Sequence, residues 1–138
     1  MKEKLKKYEK IQQEIIQKYR IDICDGTKCR NDWRRTHAHT KIRRVCKWKQ
    51  SNSIASTFIL LHEVGHIVNN KGKLRRCEEE YYATIWAIEE ARKYNLEIPI
   101  KTIEEYQRYI YMELERGLRR SGSNYPSREE LKLIKENI

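Results

Sequence analysis

The chain has 138 residues, which is room for one hydrophobic core and not for two. Hydrophobic residues (38%) are scarcer than in an average globular protein and charged residues (36%) are more abundant, yet Ile, Leu, Tyr and Trp recur in periodic runs, which argues against wholesale disorder. A net charge of +10 permits an acidic partner such as nucleic acid, an anionic membrane or an acidic protein, without identifying one.

No apolar run approaches the roughly 18 residues of a membrane helix. The opening MKEKLKKYEK is charged with no apolar stretch behind it, so no signal peptide is expected. The default location is the cytoplasm. There the four cysteines are expected as reduced thiols or metal ligands rather than a disulfide framework.

Residues 2–19 carry Leu5, Tyr8, Ile11, Ile15 and Tyr19 at three- and four-residue steps, which predicts a helix. Arg20 to Cys24 alternates, with Ile21 and Ile23 on one face, and predicts a short strand followed by a turn at Asp25-Gly26. Arg34 to Trp48 predicts one or two strands, as a hairpin, with a solvated arginine face of the kind an edge strand shows. From Ser53 the period becomes helical, with Ile54, Phe58, Leu61, Gly65 and Val68 on one stripe. Ser51, Asn52 or Ser53 caps its start and Gly72 follows its end. A further helix runs from about Arg76 to Tyr94. Thr102 and Glu105 have capping-box spacing and open another, with Ile103, Tyr106, Ile110, Leu114 and Leu118 inward. Arg119 to Tyr125 reads as a loop. Ser127 and Glu130 open a short last helix with Leu131 and Ile134 inward.

Residues 62–66 read HEVGH. On a helix His62 and His66 point to the same side, so two imidazoles can bind one Zn²⁺. Glu63 is rotated about 100° from His62, where a carboxylate can take a proton from a water that the metal activates. A site of this type needs a third protein ligand, and Glu78, Glu79 and Glu80 begin the next helix. Glu80 is preferred because its face continues through the small residues Ala83, Thr84, Ala87 and Ala91, which let two helices approach closely. Glu79 shares its face with Tyr82 and Trp86, and Glu78 with Tyr81 and Ile85, all bulkier. Acidic residues at a helix start also serve the helix dipole, the expected role of the other two.

HEVGH, a short connection and then Glu80-x-x-Ala83-Thr84-x-Trp86-Ala87 resembles the ImmA/IrrE metallopeptidase group over roughly residues 53–92. The resemblance implies a gluzincin-like α+β fold, one catalytic zinc, and proteolysis, often of transcriptional repressors in phages and mobile elements. By position it implies His62, His66 and Glu80 as ligands and Glu63 as the base. Thr84 stands where that group has Asn or Asp, which weakens the hydrogen bond expected there to a zinc histidine.

Other residues carry weaker signals. Cys24 and Cys29, with Cys46 and either Cys77 or a histidine, have spacing that a second, structural metal site would tolerate. His37 and His39 fall on one strand face and are candidate oxyanion donors, as are Tyr81 and Tyr82. Trp33-Arg34-Arg35, Arg43-Arg44 and Cys46-Lys47-Trp48-Lys49 interleave aromatics with cations as nucleic-acid surfaces do, but the cations are scattered over several segments.

The expectation is therefore a single α+β domain over residues 1–138. It is zincin-like, with a short antiparallel or mixed sheet on a zinc-binding helix, a ligand helix and two C-terminal helices. The expected function is a zinc metallo-endopeptidase with one Zn²⁺, acting on a protein or peptide substrate such as a regulator or repressor. Two rival readings stand beside it. One is a basic module that uses a zincin fold with a structural or vestigial metal site, and its basic surface, to bind nucleic acid or a regulatory protein; the other is a phage or mobile-element inhibitor whose zincin site is vestigial. No membrane partner is expected.

Overall fold

The protein is described by a computed structural model over residues 6–24, 36–69 and 76–121; for His39, Arg76, Cys77 and residues 118–121 only the backbone is described. The elements are α1 (Lys7–Lys18), β1 (Asp22–Cys24), β2 (His37–His39), β3 (Arg44–Cys46), α2 (Ile54–Val68), α3 (Arg76–Lys93) and α4 (Ile100–Ser121). Four helices and one mixed three-stranded sheet make a small α+β fold. The predicted turn at Asp25-Gly26, Gly72, Cys29 and the helix expected from Ser127 lie outside the described residues.

The sheet order is β1-β3-β2, with β1 parallel to β3 and β2 antiparallel to it. The expected hairpin is β2–β3. Its turn closes with the Arg43 N–H donating to the Thr40 carbonyl at 3.4 Å, and Arg43 takes a positive φ of 51°. Val45 of β3 is fully buried, paired with Ile23 on one side and Ala38 on the other. β2 is an edge, so its outer backbone groups face away from the ladder.

In β1 the expected alternation is corrected. Ile21 is buried before the strand begins, while Ile23 is 36% exposed and Cys24 is buried. Arg20 enters at a φ of +53°, a left-handed residue that turns the chain between helix and strand, so Ile21 belongs to the turn and not to the strand's face. The Arg43 guanidinium donates to the Tyr19 carbonyl at the end of α1, tying that turn to the hairpin.

Ser53 caps α2, its hydroxyl accepting from the Ser56 N–H at 3.1 Å. The Trp48 indole donates to the Ser56 carbonyl at 3.0 Å, joining the exit of β3 to the first turn. The predicted stripe understates this helix. Leu60, Val64 and Ile67 are buried as well as Phe58, Leu61 and Gly65, so α2 is covered on most sides by α1, the sheet and α3. Gln12 is buried in the face that α1 turns to α2, its amide donating to the Ser51 carbonyl and the Thr57 hydroxyl at 2.9 Å each.

Ala83, Thr84, Ala87 and Ala91 of α3 are all fully buried. A Cβ added to Gly65 would lie 2.8 Å from the Ala83 carbonyl oxygen and 3.0 Å from its Cα, so the two backbones meet where α2 has no side chain. At the other end of α3, buried Glu90 accepts from the Tyr19 hydroxyl at 2.8 Å and from Lys93 Nζ at 2.7 Å.

Two expectations for the last part of the chain are corrected. α4 begins at Ile100, so Thr102 lies inside it and no capping box forms; the Pro99 carbonyl accepts from the N–H groups of Thr102 and Ile103, closing the first turn earlier. The helix also runs through Ser121, so residues 119–121 are helical rather than loop. Arg119, Arg120 and Ser121 are tolerated in helices, and no breaker intervenes before Gly122.

Cys46 is disulfide-bonded, which corrects the expectation of a reduced thiol or metal ligand for that cysteine and removes it from any second metal site; buried Cys24 is outside any disulfide. That expectation came from compartment, which bears on redox potential and not on which sulfurs the fold brings together.

Candidate metal centre

The second half of α2 puts His62 and His66 one turn apart, and the close crossing at Gly65 and Ala83 brings the start of α3 against them. Among Glu78, Glu79 and Glu80, it is Glu80 that reaches the pair. Its Oε2 lies 3.2 Å from His62 Nε2 and 3.2 Å from His66 Nε2. Donor atoms held at about 2.0–2.1 Å around a tetrahedral Zn²⁺ are ~3.3 Å from one another, close to these two separations, and all three donor atoms lie within 4.8 Å of one another. His62 and Glu80 are 5% and 3% exposed, burial that polar groups adopt only when something compensates them.

His62 Nε2 is buried and makes no well-aligned hydrogen bond; what it faces, at 3.2 Å, is the Glu80 carboxylate. Once it gives up its proton, that nitrogen offers a lone pair to a cation shared with the carboxylate. Two imidazoles and one carboxylate are also the donor set of a zinc site that keeps a position open. The three residues thus fit Zn²⁺ on chemistry, spacing and burial.

The electrostatics agree. Burial alone would lower the pKa of His62, but Glu63 and Glu80 reverse this and raise it to about 9. Burial opposes ionisation of Glu80 too, and there the two histidines win, holding it well below the usual carboxylate range. The pair is therefore His62⁺ and Glu80⁻ near neutral pH when no cation is bound. Glu63 does not enter the triad. Its Oε1 is 3.7 Å from His62 Nδ1, on the other side of the ring, and its side chain lines an adjoining cleft.

That cleft has a volume of about 830 Å³. One wall is the edge strand β2 with its flanks: Thr36, His37, Ala38 and Thr40. The floor is His62, Glu63, His66 and Glu80. The far wall is one row of α4, Glu105, Tyr109 and Glu113, with Tyr106 beside it. The Tyr106 ring lies 4.6 Å from that of His62 and 5.2 Å from that of Phe58. Burial pushes the Tyr106 hydroxyl far up, and the Glu63 and Glu80 carboxylates push it the same way, so it stays protonated and can donate.

His37 reaches the cleft and is buried; the side chain of His39 lies outside the described set. Tyr81 and Tyr82 pack in a T-shaped pair, ring centroids 5.3 Å apart, and are not among the residues lining the cleft. Thr84 donates its hydroxyl to the Glu80 carbonyl at 2.7 Å, bracing the backbone of the carboxylate residue rather than a histidine. Sequence reasoning missed the α4 wall. Tyr106 was legible only as one member of an apolar stripe, and Glu105 only as a cap; nothing local shows that α4, packed on α3, sets the Tyr106 ring against Phe58 and His62 of α2.

Comparison with protein-family models, with curated proteins and with solved structures returns no significant match.

Proposed function

We propose that the protein is a zinc-dependent endopeptidase. The convergence of His62 Nε2, His66 Nε2 and Glu80 Oε2 beside an open cleft carries this reading, with Glu63 placed off the triad. The HEVGH and Glu80-x-x-Ala83 pattern that resembles the ImmA/IrrE group supports it and suggests a regulatory protein as substrate.

His62, His66 and Glu80 would hold the ion, which when bound supplies Lewis acidity, acidifying water and polarising a carbonyl. Glu63 takes the proton as water oxygen bonds to the peptide carbonyl carbon. It then passes that proton to the amide nitrogen as the C–N bond breaks, leaving a carboxylic acid and an amine. Tyr106, kept protonated, is the donor best placed to steady negative charge on the former carbonyl oxygen, with His37 as a second candidate on the opposite wall. β2 is an edge of the described sheet and lines the cleft, a position where an extended peptide can add as a further strand.

The experiment is hydrolysis of a mixed peptide library by the zinc-loaded protein and its Glu63→Gln variant. The amide keeps the shape of the carboxylate but cannot take the proton, so cleavage should fall about 10²–10⁴-fold with zinc content unchanged. Equal cleavage by both proteins would remove Glu63 as the base.

A further inference from the structure

The other large apolar side chains of α2 are buried in the core or pack against it, whereas Ile59 is 37% exposed and stands outside both groups. A single surface isoleucine is ordinary, and its position decides whether it means anything. Ile59, His62, Glu63 and His66 fall at i, i+3, i+4 and i+7, and together they are the row of α2 that lines the cleft. The side chain that α2 leaves open to solvent is thus one helical turn from the proposed base and the first metal ligand. Uncharged lining continues on the facing elements, with Ala38 on β2 and the rings of Tyr106 and Tyr109 on α4.

We propose that Ile59 is a specificity-determining residue, the floor of a subsite that takes a large apolar side chain of the substrate beside the scissile bond. The inference rests on the peptidase reading and names its substrate class: polypeptide with a residue such as Leu, Ile, Met or Phe next to the cut. Three helical residues span about 4.5 Å along α2, and one extended residue spans about 3.3 Å. A peptide bond held over His62 and Glu63 therefore brings a side chain one or two residues away onto Ile59. Covering Ile59 with an apolar side chain removes apolar surface of both partners from water. A charged side chain in the same place loses hydration against a residue that offers it no hydrogen bond. Ile59 carries no titratable group, so it governs which peptide is taken and leaves the proton transfers to Glu63.

The test uses the full zinc-loaded chain and peptides identical except for Leu, Ala or Asp at each of the two positions on either side of one central bond, varied one at a time. At one of these positions kcat/KM should be at least about tenfold higher for Leu than for Ala, and lowest for Asp. Ile59→Ala should bring the ratio of Leu to Ala at that position to within about threefold of one, with zinc content unchanged. Ile59→Phe should fill the subsite and move the preference towards Ala, a change that simple damage to the fold would not produce. Ile42→Ala removes the same side chain at an exposed position outside the cleft lining and should leave the preference intact. Equal cleavage of the three peptides at every position, or a Leu preference that both Ile59 variants keep, overturns the inference and leaves the peptidase reading standing. If no peptide is cleaved, binding of the same series to zinc-loaded Glu63→Gln decides. Tighter binding of a Leu peptide, lost on adding Ile59→Ala, keeps the apolar subsite and sinks the peptidase reading; no difference sinks both.

Discussion

His62 is buried, faces Glu80 on one side and Glu63 on the other, and has its pKa raised to about 9. Because the folded value lies above the usual 6.5, the stability this residue contributes without metal is complete below about pH 6.5 and is lost as pH rises through 9. Zinc takes the neutral imidazole, so binding at pH 7–8 should release close to one proton from His62, and affinity should rise with pH up to about 9. Calorimetry in two buffers of different ionisation enthalpy reads that proton directly; no buffer dependence would place His62 outside the site. Gly65 gives the second prediction at this scale. Gly65→Ala drives a Cβ to 2.8 Å from a backbone oxygen that cannot rotate away, so α2 and α3 must part. A loss of about 1–3 kcal/mol in urea unfolding is expected, with weaker zinc binding because Glu80 retreats with α3. Unchanged stability would mean the helices are not so close. The triad itself was legible in the sequence, since helical periodicity fixes His62 and His66 and the run of small residues after Glu80 selects it over Glu78 and Glu79.

At the scale of elements, local pattern did well where one face decides and poorly where neighbours do. The hairpin, α2 and α3 follow from period and caps. β1 lost Ile23 to the surface because a left-handed Arg20 reset the face, and α4 began early because a proline carbonyl closed its first turn. The tie between α1 and α3 was not legible at all. Glu90 reads as one more charge on a helix, yet it is buried and holds the Tyr19 hydroxyl, whose pKa burial and this hydrogen bond push up to about 12. Tyr19→Phe removes one donor and leaves the carboxylate with Lys93, so it should cost about 1 kcal/mol, seen as a lower urea midpoint at unchanged slope. A neutral result would make the contact incidental. Tyr106→Phe tests the α4 wall. It should retain zinc and the fold while lowering kcat about 10²-fold or more, with KM little changed, if the hydroxyl steadies the oxyanion. Unaltered kcat would return that role to His37.

For the whole molecule, charge is the property that sequence and structure divide between them. Composition gives +10; only the fold shows that, among the described residues, several carboxylates and no Lys or Arg line the cleft. The nucleic-acid alternative draws on the exterior. It requires binding at physiological salt that weakens steeply with added salt and is lost when Arg34, Arg35, Arg43 and Arg44 become Ala. The cations fall in several segments, and Arg43 and Arg44 are engaged, donating to the Tyr19 carbonyl and pairing with Asp22 at 2.6 Å. Binding that disappears near physiological salt is therefore expected. The helix framework around the triad is the more demanding construction, and holding one ion is what it is proposed to serve. Equilibrium dialysis of the full chain against Zn²⁺, beside His62→Ala and Glu80→Ala, addresses it most directly. One ion per chain in the wild type, with affinity reduced more than about 100-fold in each variant, is the predicted result; no retained zinc, or zinc held equally by the variants, would contradict it.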